Sequence, residues 1–129
     1  MSGASDGAQG APVTVSTHIL DTRAGRPASG VTVQLSLRTG GEPDGTWSAH
    51  GVSRTNADGR CADFPALPEG AVAARLRFET GPYLRATAAG TPGDAFFPEV
   101  TVAFAVTPGE HYHVPLLLSP FGYSVYRGS

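Results

Sequence analysis

Val31-Thr32-Val33-Gln34-Leu35-Ser36-Leu37-Arg38 is the stretch that decides the fold class. In an extended chain Val31, Val33, Leu35 and Leu37 share one face, while Thr32, Gln34, Ser36 and Arg38 share the other, which is the period of a half-buried strand. The same period recurs outward from it. Val72, Ala74, Leu76 and Phe78 alternate with Arg75, Arg77 and Glu79, and Val100, Val102, Phe104 and Val106 alternate with small residues. Shorter candidate strands are Val13 to Leu20, Thr46 to Thr55, Arg60 to Phe64, His111 to Leu118 and Tyr123 to Arg127. Breakers separate them: Gly25-Arg26-Pro27, Gly40 to Gly45, Asn56-Ala57-Asp58-Gly59, Pro65 to Gly70, Gly81-Pro82, Thr91-Pro92-Gly93 and Pro108-Gly109. Asn56 to Gly59 reads as a hairpin turn, and only Tyr83 to Ala89 invites a helix. About eight short strands with turn signals between them predict an all-β, two-sheet antiparallel sandwich with one short helix.

Length and composition bound what such a sandwich can do. At 129 residues the chain has room for one buried core, and 17 glycines with 11 prolines suit a turn-rich domain. The first twelve residues are small and polar, and are expected to form a disordered leader to a domain at 13–129. They lack the basic start and apolar run of a secretory signal, and no segment has the roughly 20 apolar residues of a membrane helix. A cytoplasmic location is expected. The net charge is −2, and the nine basic residues are all arginines scattered from Arg23 to Arg127, so neither a nucleic-acid nor an anionic-membrane surface is expected. With no lysine, Schiff-base enzymes, lysine-dependent phosphate loops and kinases are excluded. Cys61 is the one cysteine, so no intrachain disulfide and no thiolate metal cluster can form; it reads as a buried residue.

The polar residues with chemistry lie where alternation fixes their direction. His18 shares a face with Thr14, Ser16 and Leu20, opposite Val15, Thr17 and Ile19. His111 and His113 point one way, and Tyr112, Val114, Leu116 and Leu118 the other. Imidazole, with a pKa near 6.5, accepts and returns a proton at neutral pH, as general acid–base work requires. His-x-His is also a metal-ligand spacing, with further ligands to come from His18, His50 or a carboxylate. Arg60 stands at a strand start beside the Asp58-Gly59 turn, where its donor fork could meet a carbonyl or an oxyanion, or simply face solvent. The tail from Phe121 to Ser129 carries aromatics to the fourth residue from the end, and is expected to pack at an interface or in a pocket. No Gly-x-Ser-x-Gly, Gly-x-Gly-x-x-Gly, His-Glu-x-x-His or EF-hand motif occurs.

Five segments in order, Ser16 to Asp21, Thr55 to Arg60, Phe96-Phe97-Pro98-Glu99, His111 to Pro120 and Tyr123 to Ser129, resemble the transthyretin-like 5-hydroxyisourate hydrolases of urate breakdown. The resemblance spans residues 13 to 129, and the terminal Tyr-Arg-Gly-Ser is its signature. Asp21 departs from the asparagine of some members. The resemblance implies a transthyretin-like sandwich of two four-stranded sheets and a homotetramer, a dimer of dimers with active sites at the dimer–dimer interface. It implies His18, Arg60 and His113 as catalytic residues, and His18, Arg60, Tyr126 and Ser129 as substrate-binding residues. It implies hydrolysis of a ring amide of 5-hydroxyisourate to 2-oxo-4-hydroxy-4-carboxy-5-ureidoimidazoline, with neither metal nor cofactor. Three other readings remain beside it: a carrier of aromatic ligands on the same fold, a metal-dependent hydrolase built on His111 and His113, and an interaction sandwich in which the histidines carry no chemistry.

Overall fold

The computed structural model describes residues 11–43, 45–87 and 95–129. Residues 1–10 of the expected leader, and the Thr91-Pro92-Gly93 turn, lie outside them. Among the described residues, nine strands and one helix follow in order: β1 (Thr14–Asp21), β2 (Arg26–Pro27), β3 (Thr32–Thr39), β4 (Ser48–Arg54), β5 (Arg60–Cys61), β6 (Ala71–Phe78), α1 (Thr80–Thr87), β7 (Val100–Ala105), β8 (His111–Ser119) and β9 (Gly122–Val125). One sheet has the order β2-β1-β8-β9 with β5 also paired to β1, and the other has the order β4-β3-β6-β7. The sandwich is therefore as alternation predicts, with a difference in one sheet. β1 and β8 run parallel, Thr14 opposite His111 through Asp21 opposite Leu118, so that sheet is mixed and has five strands.

Alternation holds where burial demands it. Val15, Thr17 and Ile19 of β1, Val33, Leu35 and Leu37 of β3, Leu76 and Phe78 of β6, and Leu116 and Leu118 of β8 fill the space between the sheets. Each fully buried Leu, Ile or Phe contributes about 1.5–3 kcal/mol over its exposed state. Thr17 is wholly buried, and its hydroxyl donates to the Val114 carbonyl at 2.6 Å, so the polar atom in the core is paired.

Two bulges break the pattern. The β3/β6 register shifts between Arg38 and Thr39, which turns Ala71 inward and leaves Val72 exposed instead of on the core face. The β3/β4 register skips His50, whose Nε2–H donates to the carbonyls of Ala66 at 2.9 Å and Pro65 at 3.2 Å. The helix begins at Thr80, three residues before the expected start, because Pro82 falls in its first turn, where a missing N–H costs nothing. Leu84 anchors it to the core, and the Tyr83 hydroxyl donates to Asp21 Oδ2 at 2.7 Å. Burial and this carboxylate push the Tyr83 phenol up to about 12, so it remains a donor. Asp21 also accepts from the Ala24 N–H at 2.9 Å, tying the end of β1 to the following turn.

Candidate active site

The outer face of the mixed sheet gathers the residues that sequence singles out. Antiparallel pairing of β1 with β5 sets His18 opposite Arg60. Parallel pairing of β1 with β8 sets Thr14 opposite His111, Ser16 opposite His113 and His18 opposite Pro115. Residues 97 apart in sequence thus share one polar surface. Arg60 reaches it because the preceding turn is closed by Gly59, at φ 75°, and by Asn56, whose side-chain carbonyl accepts from the N–H groups of Asp58 at 2.9 Å and Arg60 at 3.0 Å.

Beyond β9 the tail continues alongside β8. The Tyr126 N–H donates to the Pro115 carbonyl at 3.4 Å and the Gly128 N–H to the His113 carbonyl at 2.7 Å, which carries Ser129 to the histidines. Arg127 holds the tail from its other side: its Nη2 donates to Glu110 at 2.9 Å and to the His111 carbonyl at 3.3 Å, and its guanidinium lies 4.3 Å from the centre of the Tyr112 ring.

A cavity of about 200 Å³ opens here, lined by Ser16, Arg60, Cys61, His111, His113 and Ser129 among others. His113, Arg60 and Ser129 therefore converge, whereas His18 is not among the residues that line the cavity and is placed beside it only by its pairing opposite Arg60. Tyr126 does not converge with them within one protomer; it lines a separate groove with Val102, Phe104, Tyr112 and Val125. Cys61 is buried and its thiol is pushed up by that burial, so it stays protonated and is no nucleophile.

Electrostatics set the state of His113. Burial lowers its pKa below the ordinary 6.5, and the charges of Arg60, His18 and His111 lower it further. The ring is neutral at neutral pH. Its Nδ1 lies 2.8 Å from Ser16 Oγ, and His111 engages both ring nitrogens, Nδ1 with Thr14 Oγ1 at 2.7 Å and Nε2 with Ser16 Oγ at 3.0 Å. Spacing alone offered His111 and His113 as a metal pair. Hydroxyls occupy three of their four ring nitrogens and His50 is turned to carbonyls, so these imidazoles do not form a ready chelate. Ser16 is the member of the cluster that the sequence did not single out for the site, and His111 was singled out for acid–base or metal chemistry but is not among the residues that the resemblance implies. Their signal was present, since both lie on the faces that alternation assigns to His18 and His113.

Fold and site together define a β-sandwich protein whose mixed sheet gathers two histidines, a serine hydroxyl, Arg60 and the C-terminal Ser129 around one cavity. The chain belongs to the HIUase/Transthyretin family, whose pattern it matches over residues 15–128. It is 42% identical over 119 residues to a 5-hydroxyisourate hydrolase of Mesorhizobium japonicum, covering 89% of this chain and 91% of that one. Among solved structures it is similar to the 5-hydroxyisourate hydrolase of Klebsiella pneumoniae, with 39% identity, a TM-score of 0.70, and coverage of 91% and 99% of the two chains. It is also similar to sea bream transthyretin in complex with thyroxine, with 30% identity, a TM-score of 0.74, and coverage of 89% and 94%. Among the described residues no helix is long and apolar enough to cross a membrane.

Proposed function

We propose that this chain is a hydrolase that opens the six-membered ring of 5-hydroxyisourate by hydrolysing a ring amide, giving 2-oxo-4-hydroxy-4-carboxy-5-ureidoimidazoline. The observation that carries this reading is the convergence of His113, Arg60 and Ser129 on one cavity with His18 across the strand pair from Arg60. The names of the relatives agree with it.

Amide hydrolysis needs a placed water, a base for its proton, stabilisation of the carbonyl oxygen as it becomes an oxyanion, and an acid for the leaving nitrogen. His113 serves as base, because a ring whose pKa is lowered by burial and by the neighbouring charges is neutral at neutral pH and keeps Nε2 free to take a proton while Ser16 holds Nδ1. His18 serves as acid for the leaving nitrogen. Arg60 offers two parallel N–H donors to the oxygen-rich edge of the substrate and to the oxyanion, a match that a lysine could not reproduce. Ser129 binds the substrate from the tail. No step requires a metal or a covalent intermediate.

The cavity is open on one side, and closing it against water requires a second surface. A homotetramer built as a dimer of dimers supplies that surface by pressing the outer faces of two mixed sheets together. Tyr126, which opens onto a different groove within its own protomer, takes any part in closing the pocket across a protomer boundary.

The test is substitution on the polar face. His18→Ala, Arg60→Ala and His113→Ala leave the melting temperature within a few degrees and lower kcat/KM for 5-hydroxyisourate by about 10²-fold or more each. Folded variants that retain full turnover would overturn the assignment.

A further inference from the structure

Behind His113 runs a chain of hydrogen bonds that the proposed hydrolysis does not yet use. Thr14 Oγ1 meets His111 Nδ1 at 2.7 Å, His111 Nε2 meets Ser16 Oγ at 3.0 Å, and Ser16 Oγ meets His113 Nδ1 at 2.8 Å. The chain exists because parallel β1/β8 pairing interleaves two hydroxyls with two imidazoles on one face.

A hydroxyl carries one proton. Set between two ring nitrogens, Ser16 can donate to only one of them, and when it accepts from one and donates to the other the tautomers of the two histidines are coupled. In one setting His113 Nδ1–H donates to Ser16, Ser16 donates to His111 Nε2, and His111 Nδ1–H donates to Thr14. His113 Nε2 is then bare, as a base must be. In the opposite setting each of these bonds is reversed, and His113 carries its proton on Nε2.

We propose that Ser16 and His111 are a proton relay behind His113, which moves the positive charge created by water activation out to His111 at the protein surface. This inference rests on His113 being the base of the proposed hydrolysis. The balance is simple. An O–H bond of the attacking water breaks as its proton joins His113 Nε2. The Nδ1–H of His113 passes to Ser16 Oγ, and the Ser16 O–H proton passes to His111 Nε2. His113 ends neutral with its proton on Nε2, Ser16 ends neutral, and His111 ends as imidazolium.

Environment favours that direction. His113 is half-buried and faces Arg60, His18 and His111, each of which opposes a cation there. His111 is the first residue of β8 and is exposed in the protomer, so water at that end of the strand, beyond the part of the face that a second sheet would cover, solvates its cation, and Thr14 Oγ1 accepts from its Nδ1–H throughout. Return of the three protons along the same path lets His113 release its Nε2 proton, through water, to His18, which has given its own to the leaving nitrogen, without His113 becoming an anion. Ser16 and His111 act through His113 and are positioning residues in this sense.

The full-length protein with His111→Gln and with Ser16→Ala tests the relay. Glutamine offers Ser16 a polar partner and carries no extra proton. Both variants are expected to melt as the wild type does, to lose at least about tenfold in kcat with KM within about twofold, and to turn a curved solvent-deuterium proton inventory into a linear one. In the protein without substrate, ¹⁵N spectra of the histidines should show His113 shifted from its wild-type tautomer in both variants. Wild-type kcat and a curved inventory in His111→Gln would overturn the relay. So would loss of kcat in both variants with the curvature unchanged, since a purely structural role would do that. Failure of the hydrolase reading is separate: the wild type would then show no turnover, while a His113 shift on His111→Gln would still support the coupled pair.

Discussion

Gly128 lies against the ring of His113. A Cβ at position 128 would stand 2.8 Å from His113 Cδ2, closer than packed carbons tolerate, and 3.3 Å from Pro115 Cγ, a tight contact, while the Gly128 N–H holds the His113 carbonyl at 2.7 Å. The tail is thus one wall of the site, and its glycine lets the backbone seat itself on the imidazole. Gly128→Ala must push the ring or lift the tail. Because the tail is at the surface, the expected stability change stays within about 1 kcal/mol, while kcat falls by about tenfold or more. Thermal melting beside steady-state kinetics checks both halves.

The titration of His113 gives a second prediction. Well above pH 6.5 its ring is neutral in both folded and unfolded chains. Below 6.5 the unfolded chain takes up a proton that the folded chain resists, so stability is lost as the pH falls through the lowered pKa of the folded state. Activity should persist on the acid side of 6.5 for the same reason. Burial is the first cause and the charge of Arg60 the second, so Arg60→Gln should raise the His113 pKa towards 6.5 without reaching it. Histidine NMR across a pH series measures the shift directly.

Gly59 makes the contrasting case. It sits at φ 75°, and a Cβ there would meet the Ile19 carbonyl oxygen at 2.5 Å and Pro27 Cβ at 2.9 Å. Both atoms belong to the rigid β1/β2 corner, and the Gly59 carbonyl itself accepts from the Ile19 N–H at 2.8 Å. Backbone strain alone costs about 1–3 kcal/mol, and the overlap adds to it. Gly59→Ala should therefore lower the unfolding free energy by at least that amount and displace Arg60, where Gly128→Ala spares stability. Denaturant titration of the two variants side by side shows whether the costs divide in this way.

Much of this was legible in the chain because alternation is a local property. The strand around Leu35, the faces of His18 and His113, and the paired inward and outward sets of β8 all follow from a period of two. Alternation names faces and is silent on partners. Nothing in Thr14 to Leu20 says that β1 will lie parallel to β8, yet that pairing builds the Thr14, His111, Ser16 and His113 chain. The bulges at His50 and Val72 were likewise invisible, since one inserted residue leaves the hydrophobic count almost unchanged. Gly81-Pro82 read as a breaker because a proline in a first helical turn looks the same in sequence as one in a loop. His18, Arg60 and His113 were named from their motifs, Tyr126 opens elsewhere within the protomer, and Gly128 stood in the terminal signature with no sign of its contact with His113, because that contact depends on the side chain it lacks.

The most direct test of the central claim follows the ultraviolet decay of 5-hydroxyisourate, made fresh from urate with urate oxidase, with and without catalytic amounts of the purified protein. Decay that accelerates in proportion to protein concentration, and returns to the spontaneous rate when His113→Ala replaces the wild type, is the expected result. Decay at the spontaneous rate with folded wild-type protein, joined to saturable binding of an aromatic ligand such as thyroxine, would contradict it and make the chain a carrier on the same scaffold.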